Sequence, residues 1–190
     1  MAALVDSSIR GYLRDLAVSR GAPGAGSTAA IVGAAAAALV EMAARASRDE
    51  WDEAGGAVAQ AQALRSRLEP LVQDDADALE EALSRLGEER SGDEALGEAL
   101  GRAALVPLRI TEASADVAEL AAEVADKVRA DVRPDASAAA LLAEAAARTG
   151  AALVEANLAT LEGDERLEAA RRCAESSCRA ALRALAAGRE

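Results

Sequence analysis

The sequence predicts an all-α protein: a bundle of about seven helices around one long, nearly fully apolar central helix. Three observations predict it. First, hydrophobic types make up 52% of the chain but aromatics only 1%, namely Tyr12 and Trp51, with no phenylalanine. Such a core must be built from Ala, Leu, Val and Ile. Alanine has the highest helix propensity and lets helix axes approach closely, whereas sheets favour β-branched and aromatic residues. Second, residues 29–40 form an almost unbroken apolar run, so a helix there is covered on most of its circumference. Third, the breaks between periodic segments are short and carry Gly or Pro, and none is long enough to divide the 190 residues. The chain therefore reads as one helical domain over 1–190.

Each element follows from local signals. A first helix over residues 5–18 places Ile9, Leu13 and Leu16 on one face. It ends in a stretch running to Pro23-Gly24-Ala25-Gly26, which cannot continue a helix. Ser27 or Thr28 is expected to cap the central helix, which runs to about Ser47. A helix over 48–66 is loosened by Gly55-Gly56. Pro70 suits the first turn of a helix over 71–86. Residues 87–92 form a polar break, with Asp93 as an N-cap, before a long helix over 94–128 that Pro107 should kink. Asp135 is expected to cap a helix over 136–161, and Gly163-Asp164 forms the turn before a last helix over 165–187. A central helix this apolar needs more neighbours than a small chain supplies, which points to a second copy as partner, in a homodimer or a higher assembly.

Charge and composition exclude several classes of function. The net charge is −12, so the surface repels phosphate backbones and nucleic acid is not an expected partner. With no histidine, neither a Ser-His-Asp nor a Cys-His arrangement can be built. Acid–base work falls to carboxylates, Arg, Lys127, Tyr12 or Cys. Cys173 and Cys178 point in different directions on one helix, so no metal site is expected and the thiols suit a reducing, cytoplasmic compartment. No signal pattern opens the chain, and the apolar run is too short to span a bilayer, so no membrane role is expected.

Three places carry candidate chemistry. The turn Pro23, Gly24, Ala25, Gly26 and Ser27 opens the most apolar helix, where glycines admit close approach and free amides favour an anion. The same turn also reads simply as a break plus a cap. In Gln73-Asp74-Asp75-Ala76-Asp77, acidic residues of a first turn complement the helix dipole. One of them facing the core would have its proton affinity raised by desolvation and could shuttle a proton. Asn157, on an apolar helix side, must hydrogen-bond either a neighbouring helix or a ligand.

The order of these pieces resembles the cyclodeaminase/cyclohydrolase family, which includes the C-terminal domain of formiminotransferase-cyclodeaminase and stand-alone methenyltetrahydrofolate cyclohydrolases. The landmarks are the Pro23–Ser27 turn with its alanine-rich helix, the aspartate segment, Val106-Pro107-Leu108, Asp135-Ala136 and Asn157-Leu158. The resemblance implies an all-α homodimer that binds a folate at the subunit interface, with a tetrahydrofolate derivative as substrate and no separate cofactor. It implies Asp75 as the catalytic carboxylate, and Pro23, Gly24, Ala25, Gly26, Ser27, Asp135 and Asn157 as substrate-binding residues. It implies hydrolysis of 5,10-methenyltetrahydrofolate to 10-formyltetrahydrofolate, or deamination of formiminotetrahydrofolate. The chain departs from the family pattern at Ala25, where glycine is usual, at Gln73, where an acid is usual, and at Leu79, where an aromatic is usual. Those departures leave an alternative: a non-catalytic helical dimer of the same fold that binds a ligand or acts as a scaffold.

Overall fold

A computed structural model describes residues 4–19, 21–86, 100–158 and 163–188. A short 3₁₀ turn, Leu4–Asp6, precedes α1 (Ile9–Val18), α2 (Ala25–Ala46), α3 (Ala54–Leu68), α4 (Leu71–Leu86), α5 (Leu105–Lys127), α6 (Arg133–Asn157) and α7 (Glu165–Ala186). No strand occurs among the described residues, and the all-α expectation holds.

The boundaries show where local signals were overridden. Ser8 caps α1 by accepting from the Gly11 amide, so the first helix starts later than residue 5. Residues 47–53 form a separate turn, which places Gly55-Gly56 at the start of α3 rather than within a longer helix. The break before α5 falls at Ala104, and Pro107 lies in the first turn of α5, where its missing N–H costs nothing; it does not kink a continuous helix. Residues 100–103 are helical ahead of that break. The expected break at 87–92, the Asp93 cap and residues 94–99 and 159–161 lie outside the described residues. Asp135 does not cap α6. The helix begins two residues earlier, after Val132, because Pro134 fits its first turn.

The core is the pair α5 and α6, the most extensive contact in the bundle, with α2 and α7 packed over it and α3 against α2 and α5. Val40, Leu68, Ile110, Val117 and Val124 are fully buried among alanines. Close approach is built in at glycines: a Cβ at Gly150 would strike the Thr111 hydroxyl, and one at Gly33 would come within 2.7 Å of Ser114 Oγ. Both α2 and α6 are long and apolar enough by composition to cross a membrane; in this fold they pack on each other and on α5.

Two faces are left uncovered. On α1 the aligned apolar residues are left largely open: Ile9 is 81% and Leu13 56% exposed and Leu16 half-buried, while Tyr12 is the side chain turned inward. Along α2 and α6, Met42, Leu141 and Leu142 remain about 40% exposed, beside exposed Ala35, Ala38, Ala138 and Ala145.

Candidate functional site

The N-terminus of α2 has no cap of its own. Its N-cap residue is Gly24, in extended backbone and without a side chain to accept from the first free amides. Neither Ser27 nor Thr28 is the cap: both lie inside the helix. The acceptor comes from α4 instead. Asp75 Oδ2 accepts from the Ser27 amide at 2.7 Å and from the Ser27 hydroxyl at 3.0 Å. A carboxylate there also meets the positive end of the helix dipole.

The approach of α4 to α2 depends on Gly26. A Cβ on Gly26 would land on the Asp75 carboxyl group, so any other residue must push that carboxyl, or α4 with it, out of place. Ala25 is different. It is exposed, and its methyl faces an open hollow rather than the carboxylate, so the departure from glycine falls at the tolerant position of the turn. Pro23 is buried behind a cis Ala22–Pro23 bond. Leu79, one turn along α4 from Asp75, lies against Gly24, 3.5 Å from where a Cβ there would stand.

Thr28 closes the turn. Its hydroxyl donates to Gly24 O at 2.8 Å and stands 2.9 Å from the Tyr12 hydroxyl. Neighbouring acids do other work. Asp74 is exposed, and Gln73 donates to Asp77 while accepting from the Leu4 amide, which ties the N-terminal turn to α4.

Asp75 is only 8% exposed. Burial pushes its carboxyl above the ordinary carboxylate range, and the hydroxyl and amide of Ser27 pull it back only in part. No cation pairs with it among the described residues. Oδ2 is held by two donors, whereas Oδ1 receives no hydrogen bond among the described residues. The arrangement is a desolvated carboxyl group with one oxygen fixed and the other free to take a proton.

Beside this turn lies a hollow of about 430 Å³, lined by Leu16, Ala25, Thr28, Val32, Ala145 and Thr149. Its wall is apolar except for the two threonine hydroxyls, which suits a flat heteroaromatic ring with a few polar edges. A hollow of similar size between α3 and α5, around Trp51, Gln60 and Lys127, does not share a residue with the Asp75 turn.

The structure thus brings Pro23, Gly24, Ala25, Gly26, Ser27 and Asp75 together but leaves Asp135 and Asn157 apart from them. Those two sit near opposite ends of α6, roughly 33 Å apart at 1.5 Å rise per residue. The Asn157 amide donates to Ala103 O at 3.2 Å, so its interhelical reading is the one realised. Of the arginines near the far end of α2, Arg45 pairs with Glu41 and Arg129 with Asp131. Sequence reasoning named Tyr12 only as a possible acid–base group and Thr28 only as a possible cap, and did not bring them to the Asp75 turn. The available signal was that Tyr12 is the sole tyrosine in a chain nearly free of aromatics.

An all-α bundle whose most apolar helix is capped from a distant segment by a buried carboxylate defines a class: a helical scaffold carrying an acid–base group at a helix N-terminus. The chain belongs to the formiminotransferase-cyclodeaminase family, whose model matches residues 8–176. It is 32% identical over 180 residues to methenyltetrahydrofolate cyclohydrolase of Methylorubrum extorquens, covering 86% of each chain. Its fold matches the crystal structure of formiminotetrahydrofolate cyclodeaminase from Thermotoga maritima with a TM-score of 0.85, over 94% of both chains at 24% identity.

Proposed function

We propose that the chain is a folate one-carbon enzyme that hydrolyses 5,10-methenyltetrahydrofolate to 10-formyltetrahydrofolate in the cytoplasm. The observation that carries this reading is the Asp75 carboxyl, buried, raised in proton affinity and fastened to the turn whose Ala25 and Thr28 line an apolar hollow. Kinship with a cyclohydrolase supports the substrate class.

The substrate's amidinium carbon is already electrophilic, so water can add without a metal or organic cofactor. Asp75 accepts the proton of the attacking water. The hydroxyl adduct then collapses: its O–H proton is lost, a C=O bond forms, and the bond from carbon to the ring nitrogen breaks as that nitrogen takes a proton from Asp75. One proton is released overall. An ionised Asp75 also stabilises the cationic ground state and the charge that moves in the transition state. The turn from Pro23 to Ser27 fixes the carboxylate, and Ala25 and Thr28 present the ligand side of the turn.

The test is the near-ultraviolet absorbance of 5,10-methenyltetrahydrofolate over its spontaneous hydrolysis. Decay should scale with enzyme, and Asp75→Asn should lose about 10²–10⁴-fold in kcat, the usual contribution of a positioned acid–base group. Ammonia release from formiminotetrahydrofolate with no hydrolysis of the methenyl compound would move the assignment to the deaminase. Neither activity would move it to a non-catalytic relative.

The same reading takes the chain to be a homodimer paired across α2 and α6. Positions 135, 138, 142, 145 and 149 share one stripe of α6 by their spacing of three and four, and the stripe includes exposed Leu142 and the hollow-lining Ala145 and Thr149. An antiparallel pairing of α6 with its copy, centred on Leu142, sets Asp135 of one chain at the level of Thr149 of the other. In that arrangement Asp135 serves the site across the subunit boundary. Leu142→Asp should convert a dimer to a monomer in light scattering; a monomeric parent protein refutes the pairing.

A further inference from the structure

We propose that Tyr12 is a positioning residue for Asp75, acting through Thr28 and the Gly24 carbonyl. The proposal rests on the reading of Asp75 as the base. The geometry fixes a directed chain. Thr28 has one hydroxyl proton, and it is given to Gly24 O at 2.8 Å. The 2.9 Å contact between the Tyr12 and Thr28 hydroxyls must then run from Tyr12 to Thr28. Gly24 O also accepts the Thr28 amide at 3.1 Å. Gly24 is the residue from which α2 starts, and the Ser27 amide that grips Asp75 is three residues further on. The phenol therefore holds the first turn of α2 in the orientation that aims Ser27 at the carboxylate.

Two further observations support this. Tyr12 is 7% exposed on a helix where Ile9, Leu13 and Val18 face outward and Leu16 is only half-buried. It is the most buried side chain of α1, and α1 makes no broad contact with another helix among the described residues. Its phenol also senses the site: burial raises its proton affinity and the Asp75 charge raises it further, opposed by Thr28 when its hydroxyl turns from Gly24 O to the ionised phenol. The two groups thus share one electrostatic environment, although Tyr12 need not touch the substrate.

The test uses three variants in the full chain: Tyr12→Phe, Thr28→Val and their double. A lost positioning bond lowers kcat by about tenfold in each single variant while KM stays within about twofold, since misplacement near the chemistry acts on the transition state. The double variant should be no slower than Thr28→Val, because the two hydroxyls act as one unit. Additive losses, or a kcat within twofold of the parent in Tyr12→Phe, would overturn the proposal. A second measurement does not depend on turnover. Tyr12 is the chain's only tyrosine, so its near-ultraviolet tyrosinate band reports one site. Asp75→Asn should move its titration midpoint down, and an unmoved midpoint would overturn the link to Asp75. A parent protein without folate turnover would instead sink the folate reading, and the tyrosinate titration alone would then decide this one.

Discussion

Two aspartates cap two helices in this molecule, and they end up with opposite proton affinities. Asp164 caps α7 locally: it accepts from the Arg166 amide at 2.9 Å and is clasped by the Arg166 guanidinium. The Arg166 hydrogen bonds hold its carboxyl down at about 2. Asp75 caps α2 from another helix, with no cation beside it, and burial holds its carboxyl up. Both satisfy helix amides, but burial raises the proton affinity of Asp75 while Arg166 lowers that of Asp164. The difference teaches that capping alone does not mark a functional carboxylate. What marks it is a cap supplied from a distant segment, desolvated and denied a counter-charge.

The sharpest way to break that comparison is Asp75→Asn. The amide still accepts from Ser27, so the fold should persist while activity falls by the factor given above. Gly26→Ala comes next. Its methyl lands on the carboxyl, so the Asp75 side chain or α4 must shift; we expect a loss of about 1–3 kcal/mol in denaturant unfolding, as for overpacked cores, with kcat reduced at least tenfold through misplacement of Asp75.

The pH dependence of stability separates the two caps by sign. Asp75 binds its proton more tightly folded than unfolded. Its contribution is fully present below the ordinary value of 3.8 and is lost as pH rises through the folded value. Asp164 binds its proton less tightly when folded, so its contribution is present above 3.8 and is lost as pH falls towards about 2. Melting scans across pH should therefore show Asp75→Asn gaining on the parent as pH rises, and Asp164→Asn falling behind it over the same direction. The smallest effect is on turnover in Asp164→Asn, which should match the parent at neutral pH; a large loss there would remove the distinction.

Much of the fold was legible because its signals are local. Alanine-rich periodicity, the turn at Pro23–Gly26 and the Gly163-Asp164 stop all act within a few residues. The errors came where a distant group took over a local task. Ser27 looked like a cap because Asp75, 48 residues away, could not be seen to fill that role. Asp135 looked like a cap because a proline two residues into a helix is hard to tell from one before it. On α1 apolar spacing says which side chains align, not which alignment the chain itself covers; Tyr12 turns inward to a hydroxyl partner on α2. Of the site, Asp75 and the glycine turn were named from the order of landmarks, while their contact is a tertiary fact that no spacing encodes.

The shared carboxylate has a consequence for how the protein fails. In the proposed mechanism Asp75 is at once the base and the fastener between α4 and α2. Any local opening that lifts α4 away removes the base, frees the Ser27 amide and loosens the Gly24 turn in one event. Under that mechanism inactivation follows an opening at the α4–α2 contact and does not require loss of the α5–α6 core. On gentle heating the activity should fade while the far-ultraviolet helix signal is still whole, and return on cooling: a thermal fuse that trips before the scaffold melts.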